Sequence, residues 1–161
     1  MIKIEDNFLP KEDFYKLQSS VMGNWFPWYY IPYVGTQKDD DNFYLAHMIF
    51  VDHEIRSPVG WDLVKPIIKK LNPKSIIRIK ANLYGRTEKL VKHKYHSDHN
   101  FDCKTALYYV NTNNGFTKMK KYKKNIGSIA NRIVHFNSHD PHCSTTCTDS
   151  KVRITININY F

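Results

Sequence analysis

The chain has 161 residues, of which 42% are hydrophobic and 14% aromatic, and it carries a formal net charge of +9. A domain of this length buries a sizeable core, so the composition excludes a disordered chain, and no apolar run approaches the roughly 18 residues that a membrane span needs. The positive net charge favours acidic partners such as nucleic acid, and it is equally compatible with a soluble protein that is simply rich in lysine.

The cysteines indicate a compartment rather than a framework of crosslinks. Cys103, Cys143 and Cys147 are an odd set with no repeated pair at close spacing. This pattern predicts free thiols in a reducing cytoplasm. The first six residues carry no apolar run, so we expect no signal peptide and a cytoplasmic protein.

Two helices are predicted in the first half of the chain. Residues 2–4 alternate and predict a short first strand, and Pro10 with the acidic residues after it begins a helix that Gly23 ends. A second helix begins at Ser57-Pro58 and runs to Leu71, and we expect Pro66 to kink or split it.

The segment between the helices is rich in aromatic side chains. Residues 24–35 hold six of them, which indicates either a substrate entrance or a hydrophobic flap packed on a sheet. Residues 37–42 are polar and predict an exposed loop, and the apolar run over residues 43–51 predicts a strand.

From residue 75 the pattern changes to strands, predicted over residues 76–84, 105–110, 133–136 and 151–161. Residues 111–115 predict a turn, and the lysine-rich run 118–124 predicts a hairpin tip. Two helices before six to eight strands predict a mainly β protein with flanking N-terminal helices (α+β), a barrel or sandwich. We expect one domain over residues 1–161, with a helical and aromatic flank at 1–74 and a β core at 75–161.

Two of these strands carry an unbroken polar face. The polar side chains alternate with apolar ones at Arg78, Lys80, Asn82 and Tyr84, and again at Arg153, Thr155, Asn157 and Asn159. These faces lie either in water or inside a barrel. An interior polar face predicts a ligand, because buried polar groups are costly when nothing satisfies them.

The motif Tyr95-His96-Ser97-Asp98 places an imidazole and a carboxylate two residues apart, so an extended strand would present both on one face. His142 offers a second imidazole in Asp140-Pro141-His142. Two histidines and one carboxylate leave open positions on a non-heme Fe(II), although Mn, Co or Ni would also bind. Arg153 follows eleven residues after His142, and its guanidinium suits a carboxylate co-substrate.

Other interpretations remain open at this point. His93, His96 and His99 would share a face if the segment were helical, Cys143 and Cys147 with nearby histidines suggest zinc, and a lone His-x-Asp is often two surface residues. A non-catalytic metal-binding β-barrel, or a nucleic-acid-binding module with a structural metal, is the alternative function. The run 118–124, with Tyr122 inside it, indicates an anionic or nucleic-acid substrate, or only a solvated hairpin tip.

An ordered set of segments resembles a known family. The segments are residues 4–10, Phe26-Pro27-Trp28, residues 78–84, His96-Ser97-Asp98, Tyr109-Val110-Asn111 with Gly115-Phe116-Thr117, residues 131–136, His142 and Val152-Arg153-Ile154-Thr155. Together they resemble the Fe(II)/2-oxoglutarate-dependent dioxygenases, in particular the compact prolyl-4-hydroxylase-like members of the bacteriophage type.

The resemblance implies a double-stranded β-helix, which is a cupin-like jelly roll. It implies His96, Asp98 and His142 as iron ligands, and as contacts of 2-oxoglutarate it implies Arg153, Tyr109, Tyr84, Asn82 and Asn157. The implied requirements are Fe(II), 2-oxoglutarate, O2 and ascorbate as reductant, and the implied products are a hydroxylated C–H bond, succinate and CO2, with no separate catalytic base.

The resemblance leaves the prime substrate open between a protein side chain, a nucleobase and a small metabolite. Two positions depart from the family pattern. Gly115-Phe116 stands where many relatives have a glycine pair, and Cys143 stands where many have Gly or Ala after the second histidine.

Overall fold

The computed structural model describes residues 2–34 and 42–161. The described residues form two helices, α1 (Lys11–Val21) and α2 (Pro58–Leu71). They also form eleven strands: β1 (Lys3–Glu5), β2 (Tyr29–Ile31), β3 (Tyr44–Val51), β4 (Glu54–Ile55), β5 (Ile76–Gly85), β6 (Lys104–Tyr109), β7 (Asn113–Met119), β8 (Lys124–Ser128), β9 (Arg132–Asn137), β10 (His142–Ser144) and β11 (Val152–Tyr160).

Helix α2 has a complete set of end signals. The hydroxyl of Ser57 accepts a hydrogen bond from the Gly60 amide at 3.1 Å, and Asn72 ends the helix in the left-handed conformation. Pro66 lies inside an unbroken helix, so the expected split is wrong. The carbonyl that Pro66 leaves unbonded belongs to the exposed Asp62, where water can satisfy it.

The larger sheet is antiparallel, with the order β1-β9-β6-β11-β5-β3-β2, and β4 pairs with β3. Its apolar face packs against both helices in the main core, where Leu17 and Val21 of α1 and Val64 and Ile67 of α2 are buried. Strands β1 to β4 precede residue 75 and also belong to this sheet, so the sheet is larger than the β core predicted over residues 75–161.

The smaller sheet has the order β10-β7-β8. It covers the other face of the larger sheet through a second apolar cluster that includes Leu107, Met119, Ile126 and Phe136. The lysine-rich run forms the tip between β7 and β8, as predicted. The turn expected over 111–115 is shorter, because Asn113 already begins β7 and the strand register shifts before Phe116.

The aromatic segment divides between core and surface. Phe26 is buried in the main core with Trp28 beside it, whereas Trp25 is 97% exposed and Tyr29 and Tyr30 of β2 are also exposed. Two of the six aromatic side chains, Phe26 and Trp28, therefore pack as a flap on the core, and three are exposed. The expected polar loop at 37–42 lies, apart from Asn42, outside the described residues.

Two further expectations concern crosslinks and membranes. All three cysteines, Cys103, Cys143 and Cys147, are free and buried, as their odd number predicts. Over residues 2–34 and 42–161, neither helix has the length and apolar character needed to cross a membrane.

Candidate metal centre and co-substrate cleft

A cleft of about 140 Å³ lies between the two sheets, and its floor is built by β5 and β11. The strand register places residues of the two polar faces opposite each other in successive pairs: Arg78 with Asn159, Lys80 with Asn157, Asn82 with Thr155, and Tyr84 with Arg153. Every second residue of a strand faces the same side, so the polar ladder lies on the cleft side of the sheet, and all its members except Asn159 line the cavity. The polar faces are therefore interior, which is the arrangement that predicts a ligand.

His96, Asp98 and His142 converge at one end of this ladder. One ligand atom from each lies within 4.8 Å of the other two. His96 and His142 belong to different segments, and two backbone hydrogen bonds of 2.9 Å hold them side by side. The Asp98 amide donates to the Ser138 carbonyl at 3.0 Å, which places the carboxylate beside the two rings.

Polar side chains of β5, β6 and β11 hold the carboxylate of Asp98 in place. Thr105 donates to it at 2.8 Å, the amides of Asn157 and Asn159 each at 3.1 Å, and Arg78 at 3.3 Å. Burial opposes ionisation, but His142, Arg78 and these donors outweigh burial and hold the pKa of Asp98 well below its usual range. Asp98 is therefore an oriented anion.

The two imidazoles have different supports. His142 Nδ1 donates to the Asp140 carbonyl at 3.1 Å, and this contact turns Nε2 toward the cluster, 4.0 Å from Asp98. Burial and the nearby His142 lower the pKa of His96 to about 4. A neutral imidazole is the form that binds a metal.

Arg153 lies at the other end of the ladder and is fully buried. Its Nε donates to the Ser128 hydroxyl at 2.8 Å and one terminal nitrogen donates to the Thr117 hydroxyl at 3.0 Å. The guanidinium carbon lies 5.6 Å from the centre of the Tyr84 ring. The other terminal nitrogen is buried and has no hydrogen-bond partner among the described residues. An anion in the cleft would satisfy it.

The cleft contains most of the residues expected to contact a co-substrate. Tyr84, Asn82 and Arg153 line its wall. Asn157 also lines it, but its amide donates to Asp98, so it supports the metal cluster. Tyr109 lies beneath the guanidinium, and its hydroxyl donates to Thr117 at 2.9 Å. Tyr109 and Asn157 thus support Arg153 and Asp98 through these contacts, and their direct contacts with a co-substrate stay predictions.

The competing ligand sets do not assemble. The segment around His93, His96 and His99 is not helical; His93 packs on Tyr84, and the His99 ring lies against Phe101. Among the described residues, the sole group of three or more potential ligands is His96, Asp98 and His142. The zinc interpretation that used Cys143 and Cys147 therefore has no cluster to support it.

The side chains that hold Asp98 and Arg153, at the two ends of the cleft, were not predicted from the sequence. Arg78, Asn159 and Thr105 hold Asp98, whereas Thr117 and Ser128 hold Arg153. Arg78 and Asn159 carried a signal, since they lie on the predicted polar faces. Thr105 and Ser128 carried none, because a hydroxyl near a strand end is common in any sheet.

The donor set fits Fe(II) held by two imidazoles and one carboxylate. Three ligand atoms gather on one side of the cleft, and the remaining side faces the cavity toward Arg153. The unsatisfied guanidinium nitrogen fits the distal carboxylate of 2-oxoglutarate.

Comparison with known proteins by sequence finds no match, whereas comparison by structure finds similar proteins. No family model and no curated sequence matches the chain. Among solved structures, a viral collagen prolyl hydroxylase from Paramecium bursaria Chlorella virus-1, in complex with 2-oxoglutarate, is similar with a TM-score of 0.66 at 11% identity, over 98% of this chain and 93% of that one.

Two other solved structures extend the comparison. A prolyl hydroxylase from Trichoplax adhaerens, in complex with a hypoxia-inducible factor peptide, has a TM-score of 0.69 at 16% identity over 99% of this chain and 83% of that chain. A non-heme α-ketoglutarate-dependent epimerase of nogalamycin biosynthesis has a TM-score of 0.70 at 10% identity, over 99% and 77%.

These similarities show the fold. The chain has the jelly-roll fold of the Fe(II)/2-oxoglutarate oxygenases, so the predicted fold class, mainly β with N-terminal helices, is confirmed. The resemblance seen in the sequence is confirmed at the level of fold. Hydroxylases and an epimerase share this architecture, so the fold does not determine which reaction takes place.

Proposed function

We propose that this protein is an Fe(II)- and 2-oxoglutarate-dependent dioxygenase that hydroxylates a C–H bond, with a protein side chain as substrate, as in prolyl hydroxylases, or another molecule in its place. The supporting observation is that His96, Asp98 and His142 converge at one end of a cleft whose other end holds a buried, incompletely bonded Arg153. One cleft thus offers a divalent metal site and a carboxylate site.

His96, Asp98 and His142 would hold Fe(II), with Arg78, Thr105, Asn157 and Asn159 orienting the carboxylate. Iron(II) with 2-oxoglutarate and O2 supplies the oxidation of a C–H bond to an alcohol, releases succinate and CO2, and uses ascorbate to restore the reduced metal. Arg153 would bind the distal carboxylate, and Thr117 and Ser128 would fix the guanidinium plane. The chain thereby contributes positioning.

The decisive experiment measures succinate from 2-oxoglutarate with Fe(II), ascorbate and O2. We expect wild-type protein to release succinate even without a prime substrate, and Asp98→Ala to release none above background, because the metal loses its anionic ligand. His139→Ala is the matched control: this histidine lies three residues from His142, is exposed, and takes no part in the cluster.

Absence of succinate with the wild type, or equal release by the wild type and Asp98→Ala, would sink the oxygenase proposal. A protein that bound metal tightly without turning over 2-oxoglutarate would instead favour a non-catalytic metal-binding β-barrel. Mass spectrometry of peptides and oligonucleotides for the gain of one oxygen then identifies the substrate class.

A further inference from the structure

Lys80 lies in the cleft at the level of the metal cluster. It faces Asn157 across the β5–β11 pair, and Asn157 is the residue whose amide contacts Asp98. The other neighbour of β5 is β3, and the Lys80 ammonium turns toward it, where Nζ lies 3.1 Å from the Tyr44 hydroxyl. Lys80 thus lies opposite the residue that orients Asp98, with its ammonium turned toward β3.

Within the described part of the chain, the ammonium of Lys80 forms no salt bridge, and Asp98 attracts it without contacting it. Its one hydrogen bond there goes to the neutral Tyr44 hydroxyl, whereas the carboxylate of Asp98 pairs with Arg78. Burial and the adjacent Arg78 lower the pKa of Lys80 to about 8, and the attraction of Asp98 does not offset them. A half-buried cation of this kind is stabilised when an anion binds next to it.

With metal and co-substrate bound, the net charge of the cleft would still be positive, so a further anion could bind there. Three cationic side chains, Arg78, Lys80 and Arg153, line the cavity together with one carboxylate, that of Asp98. A divalent metal and the dianionic co-substrate cancel each other. Cations then still exceed anions, and Lys80 is the one that neither Asp98 nor the co-substrate's distal carboxylate engages.

Lys80 and Tyr44 together match the shape of a carboxylate. The Tyr44 hydroxyl accepts from Lys80, so its own proton remains to donate, and burial raises the pKa of Tyr44 to about 12, which keeps that proton in place. Two donors 3.1 Å apart suit the two oxygens of one carboxylate. The ring of Tyr44 stacks on Tyr84, which fixes this hydroxyl relative to the co-substrate wall.

We propose that Lys80 and Tyr44 form a recognition pair for a carboxylate of the prime substrate, so that the substrate is a carboxylic acid and its reacting C–H bond lies near that group. This assignment rests on the proposed oxygenase function. It names a substrate class: a free amino or carboxylic acid, or a peptide with an acidic residue next to the oxidised position.

The variants that test this are Lys80→Met, which removes the charge at similar length, Lys80→Arg, which keeps it, and Tyr44→Phe. Lys16→Met, on the exposed face of α1, is the matched control. Calorimetry with Mn(II)-loaded protein first measures 2-oxoglutarate binding. We expect Lys80→Met to bind within about twofold of the wild type, a change of less than 0.5 kcal/mol.

The second measurement uses matched probes with the Mn(II)-protein saturated with N-oxalylglycine, a non-reacting analogue of 2-oxoglutarate. Free L-amino acids are compared with their amides, and blocked peptides containing Asp or Glu with the same peptides containing Asn or Gln. We expect at least one acid to bind about tenfold tighter than its amide, which is the scale of one charge-assisted hydrogen bond. Lys80→Met should abolish that preference, Tyr44→Phe weaken it, and Lys80→Arg and Lys16→Met retain it.

The outcomes separate the two proposals. A wild type that binds no 2-oxoglutarate defeats the oxygenase function and this assignment with it. Normal 2-oxoglutarate binding in a panel where no acid exceeds its amide overturns the carboxylate assignment alone. A Lys80→Met variant that loses 2-oxoglutarate binding would also overturn it, because Lys80 would then serve the co-substrate. The free acids and the blocked peptides distinguish a metabolite from a protein substrate.

Discussion

Gly115 lies directly against the side chain that closes the far end of the cleft. A Cβ atom at this position would come within 2.6 Å of Arg153 Cδ and of the Thr146 carbonyl oxygen. The backbone oxygen cannot rotate away as a side chain could. Because Gly115 has no side chain, β7 can pack directly against Arg153.

Gly115→Ala should destabilise the fold by about 1–3 kcal/mol, the usual cost of overpacking, and should also displace Arg153. Gly127→Ala in β8 is the matched control, since nothing lies within 4 Å of the Cβ it would add. Urea unfolding of the two variants checks the difference. Equal stability of the two would show that β7 relaxes without cost.

Arg153→Lys keeps the positive charge but loses the planar fork that bonds Ser128 and Thr117. We expect the KM for 2-oxoglutarate to rise by about tenfold or more while the affinity for metal stays unchanged. Succinate assays at varied 2-oxoglutarate and metal titrations measure the two quantities. Arg86→Lys, at an exposed position, is the control. Parallel losses in both quantities would contradict the co-substrate role.

Thr105 acts on the metal site through Asp98, to which its hydroxyl donates at 2.8 Å. Thr105→Val preserves the shape and removes the donor, so we expect metal affinity to fall by about 10–100-fold. Thr105→Ser keeps the hydroxyl and should restore most of the affinity. Mn(II) titration followed by electron paramagnetic resonance measures both. A Val variant that binds as tightly as the Ser variant would refute the positioning role.

Protonation of His47 should lower the free energy of unfolding in acid, and this effect does not depend on metal binding. Burial lowers its pKa, although the contact between Nδ1 and the Pro27 carbonyl at 2.7 Å opposes this. The unfolded chain therefore takes up a proton more readily below its ordinary pKa of about 6.5. The contribution of His47 is complete above that pH and is lost as the pH falls, with a slope of at most about 1.4 kcal/mol per unit.

His47→Phe should flatten this dependence. The test is urea unfolding at pH 7.5 and 5.5 with a chelator present, comparing the loss of unfolding free energy in the variant and the wild type. His53→Asn, at an exposed histidine with φ of 61° that suits asparagine, is the control. An identical loss in His47→Phe and the wild type would exclude His47 as its source.

Alternation along the strands was the strongest predictor of the site. It separated Ile154, Ile156 and Ile158, which pack toward the helices, from Arg153 and Asn157, which face the cleft. The spacing of His96 and Asp98 likewise selected two of the three members of the observed cluster. The expected split at Pro66 was wrong because a helix tolerates proline where the carbonyl left without a partner faces water.

The sequence by itself determined the class of the fold, the members of each strand face and the candidate ligands, because all of these follow from local periodicity and side-chain chemistry. Only the tertiary structure decided that the polar faces are interior. That outcome depends on the smaller sheet, which covers the ladder with β7 and β10 and brings His142 beside His96. Pairing between distant segments also brought the Tyr109 hydroxyl to Thr117 and the Asn157 amide to Asp98, and a one-dimensional pattern contains no record of such pairing.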